Sequence, residues 1–507
     1  MSQLNNVLRV KNNEITSLDQ VSIMPYADFS LLVLELFREE THHCASYFAF
    51  RRGEDLQFLM AIASDVNHDI ILLSHRINIS GTLELHSLSR EIPALHIFER
   101  EIHENYGVEF QDHPWQKPVR FAHNRANKNL NINDYPFYSI ESEELHEVGV
   151  GPIHAGVIEP GHFRFICNGE RVLHLEIQLG WQHRGIEQLF LDKHNNLARN
   201  ILAENIAGDS VIGHTTTFVQ NIEALSGTHI SPQTQIERAV ALELERIAVH
   251  TGDISALCTD AAYNFGANVF AVLRTDIINF TQSWCGNRFG KGLVRIGGSY
   301  YPLTGDLRRR LRQVIDTYEK RFEEAVSLVF HLPGIQNRFE NVGEISREQV
   351  ILLGAVGPVA RMRNLARDIR LSHPPSAYQA YPIENTIIDK GDVFARFYLR
   401  KMEIRNSLAW IRKVLLDRQT YDIPLEKPDF RVALKGENLV VSLAEGWRGE
   451  IAHCAITDNH GTLTCYKVKD PSMHNWKALE LSLRNVDISD FPINNKSYDL
   501  SYCGHDL

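Results

Sequence analysis

The sequence lacks three things: a disulfide framework, a membrane span and an excess of basic charge. Its cysteines number seven (Cys44, Cys167, Cys258, Cys285, Cys454, Cys465, Cys503), scattered and without a C-x-x-C pair. That spacing excludes a complete cysteine cage for zinc or an iron–sulfur cluster and fits reduced thiols. No run approaches the ~18 apolar residues of a transmembrane helix. The most apolar stretch, from Val350, is short and interrupted by Gly and Pro. The opening segment has no charged-then-apolar signal layout. The expected location is therefore cytoplasmic, or at a membrane through partner chains. Lys and Arg total 52 against 63 Asp and Glu, a formal charge of −11. A phosphate backbone needs a cationic surface, so no nucleic-acid partner is expected. What remains is an ordinary globular composition, 44% hydrophobic and 23% charged, over 507 residues. That length is enough for roughly three domains.

The patterning changes along the chain. Two apolar runs flank Arg51-Arg52-Gly53-Glu54-Asp55, a hairpin reading, and "HDIILLSH" and "GTLELHSL" read as further strands. "ALHIFEREIHENYG" reads as a helix stopped by Gly107. Residues 1–120 are thus expected to form an α+β domain. Residues 121–147, rich in Asn and poor in aliphatics, read as a linker or arm. From 148 a mainly helical domain is expected, with β elements at both ends. Asn168-Gly169 joins two alternating runs, and "SPQTQIERAVALELERIAVHTGDIS" and "TGDLRRRLRQVIDTYEKRFEEAVSLV" have helical periodicity. The end returns to strand patterning, with a turn at Asp458-Asn459-His460-Gly461.

Both halves of the chain carry a resemblance. "FEREIHENYGVEFQDHPWQK" places Glu99, Arg100, Glu101, Tyr106, Gly107, Phe110, His113 and Pro114 in a fixed frame, with Glu104 where Asp is usual. It resembles the signature of the 30-kDa subunit of respiratory complex I, a docking module also fused to large subunits of group 4 membrane-bound hydrogenases. Residues 151–165, 181–189, 243–250, 391–408 and 445–450 resemble the large subunit of nickel–iron hydrogenases and its relative, the 49-kDa subunit of complex I. Their order is that of the fused large subunits of formate-hydrogenlyase-type complexes.

The resemblance implies a site, and the site's ligands are missing. Such a centre needs four thiolates, for which oxygen or carbon is no substitute. The matching positions are Ala207, Ser210, Ser501 and Gly504, and Cys503 is displaced by one residue. No metal is therefore expected. Hydrogenases of this type lose a C-terminal extension after metal insertion. The chain stops within a few residues of that cut, as expected of a protein that never receives nickel. In complex I the same cavity binds a quinone headgroup, helped by a His, matched here by His162, and a Tyr, whose position is Ala207. Arg370 and His373 match an Arg and a His near the pocket, and Ser372 replaces an Asp. Arg370 is expected to pair with a carboxylate or an anionic ligand. Arg246 and His250, four apart on one helix face, match residues beside the terminal iron–sulfur cluster of a small subunit, where a His tunes its potential. The implied partners are that small subunit, ion-translocating membrane subunits, and a ferredoxin-like or NADH-oxidising module. The implied role is electron transfer to a quinone or another acceptor, coupled to ion movement. The alternatives are a structural or coupling subunit and, less favoured, an active hydrogenase. His42, His43 and Cys44 diverge too much for a metal site, and the Gly-rich 288–298 segment lacks the phosphate-loop frame.

Overall fold

The computed structural model describes residues 7–155, 158–417 and 426–507. Gly156 and Val157, within the 151–165 segment, lie outside them. Strands β1 (Leu8–Val10), β2 (Ile15–Ser17) and β3 (Ile23–Met24) precede the Tyr26–Leu36 helix. Then β4 (His42–Arg52), β5 (Asp55–Ser64) and β6 (Asp69–Asn78) form an antiparallel meander, with β1 and β3 both on β6. The hairpin turn falls where the Arg51–Asp55 pattern placed it, and Gly53 takes φ 65° there, open to glycine without strain. "GTLELHSL" yields only a short strand, β7 (Glu84–His86), parallel to β8 (Glu109–Gln111). Between them runs the His96–Tyr106 helix, ended by Gly107 in the left-handed conformation.

The arm, residues 121–147, is irregular but for a 3-10 turn at Ile132–Asp134 and the start of β9 (His146–Val150). β9, β10 (His162–Asn168) and β11 (Arg171–Gln178) make a second antiparallel sheet. The helical body follows. Val211–Ser226 and Pro232–Asp260 pack with Asn264–Cys285, Gly305–Val329 and Val393–Leu416 around the largest apolar core. Pro232 stands in the first turn of its helix, where no N–H is lost, behind the Ser231 cap. The final sheet runs β14 (Leu463–Lys469), β13 (Gly449–Thr457), β12 (Asn438–Gly446) and then β2. β2 therefore crosses into the second half and pairs with β12 (Leu439 opposite Thr16). A shared core binds the halves: Phe48, Phe50 and Leu59 pack with Ile369, Val441 and Leu443. The fold is thus an α+β N-terminal region, then a mainly helical domain with strands at both ends. Among the described residues no helix is long and apolar enough to cross a membrane.

Candidate functional site

The 30-kDa-type signature is spent on docking. Glu101 bonds Arg120 and, from the opposite half, Lys467 (2.5 Å). Burial opposes its charge, but Arg120 and Lys467 outweigh it and hold the carboxyl at about 2. Glu104 accepts from the backbone N–H groups of Val119, Arg120 and Ala122, and Arg100 donates to the carbonyls of Lys117 and Pro118. These charges form the buried joint between the helix and the 117–122 segment that leads into the arm.

Ala207, Ser210, Ser501 and Gly504, the positions that the resemblance matched to metal ligands, sit on two loops that basic side chains tie together. Arg448 donates to both Asp209 carboxylate oxygens (2.7 Å each) and to the Asp499 carbonyl (2.5 Å). Arg184 donates to the carbonyls of Asn205, Ile206 and Cys503. Ala207 is fully buried, and Ser210 begins the Val211–Ser226 helix without capping it through its side chain. That task falls to Glu245, which accepts from the N–H groups of Ile212 (2.7 Å) and Gly213 (3.2 Å). Burial pushes the Glu245 carboxyl up to about 8 against those hydrogen bonds. Ser501 accepts from the Gly504 N–H at 2.9 Å and caps the short last helix. At Gly504 the space for a side chain is taken: a Cβ would lie 2.6 Å from Asp470 Oδ2. Asp470 is held there by His214 Nε2–H (3.0 Å), which outweighs burial and keeps the carboxyl at about 2. Behind His214 stand His453 (3.1 Å) and Tyr466 (2.9 Å from His453).

Sulfur does not take over. Cys503 Sγ is 3.5 Å from Ser501 Oγ, and burial and then Glu159 push the thiol up to about 12. Among the described residues no group of three or more His, Cys, Asp or Glu side chains is arranged to hold a metal ion. The donor set does not fit a nickel–iron centre.

The other expected residues divide among three places. Arg246, His250 and Arg370 meet in one buried ionic network. Arg370 is saturated by Asp368 (2.9 and 2.6 Å) and Glu243 (3.2 Å). Arg246 donates to Glu243 and to the carbonyls of Glu445 and Gly446. His250 accepts from Arg400 at Nδ1 (3.0 Å), so its proton sits on Nε2, facing Glu403 at 2.9 Å. Burial opposes the Glu403 charge, but Arg361, His250 and Arg246 hold it well below the usual range. His373 instead lies at the joint between halves, bonded to Ser372 Oγ and the Asp69 carbonyl. His162 opens β10 with Nδ1 2.8 Å from the Gly151 carbonyl and its ring against Phe137. A carbonyl only accepts, so the His162 donor is spent; in the neutral ring Nε2 is left as an acceptor. The sequence reading missed Arg361, Glu403, Glu445 and Asp470. Charged residues spaced three and four apart on the buried face of the Val393–Leu416 helix (Arg396, Arg400, Glu403) were the available signal for Glu403.

Residues 28–126 match the family described as respiratory-chain NADH dehydrogenase, 30 Kd subunit, and residues 266–438 match the family of its 49 Kd subunit. The chain fuses a complex I 30-kDa domain to a 49-kDa domain. Its relatives include group 4-type large subunits. Hydrogenase-4 component G of Escherichia coli is 25% identical over 436 residues, 83% of this chain and 75% of that protein. The carbon monoxide-induced hydrogenase of Rhodospirillum rubrum is 29% identical over 356 residues, 70% and 97% respectively. The fused C/D polypeptide of the Phocaeicola vulgatus NADH-quinone oxidoreductase is 24% identical over 513 residues, 90% and 96%. A chain of the archaeal membrane-bound sulfane sulfur reductase superposes with a TM-score of 0.67 at 21% identity, over 73% of this chain and all of that one. The last likeness is one of fold.

Proposed function

We propose that this 30-kDa/49-kDa fusion is the electron-transfer subunit of a membrane-associated complex I-type oxidoreductase that works without a nickel–iron centre. What supports this reading is the chemistry of two loops tied by Arg448: Ala207, Ser210, Ser501 and Gly504, the positions matched by resemblance to four thiolates, carry no sulfur, and Asp470 takes the space a side chain at Gly504 would need. Electrons arrive from an iron–sulfur cluster of a small partner subunit, and a quinone or another carrier accepts them. Membrane subunits couple that reduction to ion movement, with this chain peripheral to the bilayer. The relatives' names, hydrogenase and NADH-quinone oxidoreductase, support the redox class. His162 contributes an acceptor nitrogen, suited to a hydroxyl of the reduced carrier. A second reading, a purely structural coupling subunit, is favoured by the closure of the Arg246–Glu403–His250 network, in which both His250 nitrogens are already bonded.

The test is to purify the native complex, identify its subunits, measure nickel, and follow its clusters under a dithionite titration, then on adding a soluble quinone analogue. The proposal expects no stoichiometric nickel and a cluster reduced by dithionite and reoxidised by an acceptor. Stoichiometric nickel overturns it. A small subunit without cluster-binding cysteines leaves the structural reading standing instead.

A further inference from the structure

The sheet of β9, β10 and β11 has two outer edges, and the chain closes one of them. Along β11 the 485–488 segment lies alongside: the Val172 N–H donates to the Val486 carbonyl (2.9 Å), and the Asn485 N–H donates to the Val172 carbonyl (2.7 Å). β9 pairs with β10 on one side and, among the described residues, with no strand on the other. In an antiparallel strand every second residue turns its N–H and C=O away from its partner. Among the described residues no backbone hydrogen bond from His146–Val150 leaves the sheet. The outward groups are therefore open to water or to another strand.

Native sheets blunt such an edge with a bulge, a proline, a covering segment or charge. β9 relies on charge: its register is unbroken from His146, opposite Cys167, to Val150, opposite Phe163, and it holds no proline. That charge has one sign. From Asn129 to Phe163 there is no Lys or Arg, and the carboxylates are Asp134, Glu141, Glu143, Glu144, Glu147 and Glu159. This stretch carries −6 of the chain's formal −11. Glu147 is paired with Arg164 (2.9 Å). Glu141, Glu143 and Glu144, on the approach to β9, are exposed and meet no cation among the described residues. Apolar side chains bracket the strand: Ile140 is 44% exposed before it and Ile153 93% exposed after it.

We propose that the free edge of β9 is a docking surface for an extended, basic segment of a partner chain, which joins the β9–β10–β11 sheet as a further strand. Backbone hydrogen bonds to the outward N–H and C=O groups supply the pairing. Lys and Arg side chains of the incoming segment meet Glu141, Glu143 and Glu144, and its apolar residues cover Ile140 and Ile153. An acidic segment is repelled, and a helical one has already bonded its own backbone groups. The surface is independent of the electron-transfer reading and stands or falls by binding alone.

The test is the binding of dye-labelled peptides to the full chain, read by fluorescence anisotropy. The probe is an alternating Lys-Val-Arg-Val-Lys-Val peptide, compared with Glu-Val-Glu-Val-Glu-Val and Lys-Pro-Arg-Pro-Lys-Pro. The last keeps every positive charge and cannot pair as a strand. Saturable binding of the Lys-Val peptide is expected, with slowed hydrogen–deuterium exchange of the His146–Val150 amides. The acidic peptide should not bind, and the proline peptide should bind about tenfold more weakly or worse. Reversing three exposed charges together, Glu141→Lys, Glu143→Lys and Glu144→Lys, should weaken the Lys-Val peptide about tenfold and keep the melting transition. Failure of the Lys-Val peptide to bind overturns the surface and leaves the acids as protection of a bare edge. Equal binding of the proline peptide overturns strand addition. Equal binding of the acidic peptide, or unchanged binding to the triple variant, overturns the partner's charge. Protection away from His146–Val150 places the peptide elsewhere and overturns the assignment.

Discussion

Cys503 shows how a residue type can survive while its chemistry does not. A free thiol reacts through its thiolate, and a thiol pushed up to about 12 holds on the order of a thousandfold less thiolate at pH 8 than one at its ordinary value. Iodoacetamide at pH 8 should therefore label Cys503 in the folded chain far more slowly than in the unfolded chain, read by mass spectrometry of the 501–507 region. Equal rates would remove the argument that this sulfur is no metal ligand. Gly504 gives the complementary case. Because a Cβ there meets Asp470 Oδ2 at 2.6 Å, Gly504→Ala should destabilise by about 1–3 kcal/mol, a typical overpacking cost, in a denaturant titration. A neutral result would mean that Asp470 is free to swing away.

At the scale of single elements, the Val393–Leu416 helix carries its function on a buried face. Glu403 there neutralises Arg361 (3.1 Å) and accepts from His250 (2.9 Å), with Arg246 at 3.5 Å. Removing one partner of a buried ionic cluster leaves uncompensated charge, so Glu403→Gln should cost about 3–5 kcal/mol of stability. Wild-type stability would show that water relieves the guanidinium groups. The Val211–Ser226 helix predicts a pH effect of the opposite sign to the usual one. Glu245, at its N-terminus, is raised to about 8, so the folded chain holds a proton that the unfolded chain has released above its ordinary carboxyl value. Stability from this group is full below about pH 4.5 and is lost as pH rises toward 8. The slope between pH 5 and 8 should flatten in Glu245→Gln; an unchanged slope would assign it to other groups.

Across the whole molecule, the two halves are joined by one apolar core and by ion pairs that cross it. Glu101 meets Lys467, and His43 meets Glu450 at 2.6 Å. Burial opposes the His43 charge, but Glu450 and Asp65 outweigh it and raise the ring to about 9. Glu101, depressed to about 2, stabilises above its unfolded value near 4.3, and that contribution disappears as pH falls toward 2. His43, raised, stabilises below about 6.5, and its contribution is lost as pH climbs through 9. With Phe48 and Val441 in one cluster and β2 in the distant sheet, heating should give a single transition at pH 6. Two separate calorimetric transitions would show that the halves fold independently.

Much of this was legible because it is local. The Asn168-Gly169 hairpin, the Gly107 stop, the Pro232–Asp260 helix and the absence of sulfur at positions 207, 210, 501 and 504 are properties of short stretches, set by side-chain periodicity, backbone conformation and ligand chemistry. What the fold alone decided is the choice of partner, over separations from 11 residues (His162 to Gly151) to nearly the whole chain (β2 to β12). β2 joins β12, Asp470 fills the space at Gly504, and His162 spends its donor on Gly151. Arg370 finds its carboxylates in Asp368 and, on a distant helix, Glu243. Periodicity states which face of an element is buried; it does not state against what. Charges removed from water choose their partners by three-dimensional proximity, which only the closed chain supplies.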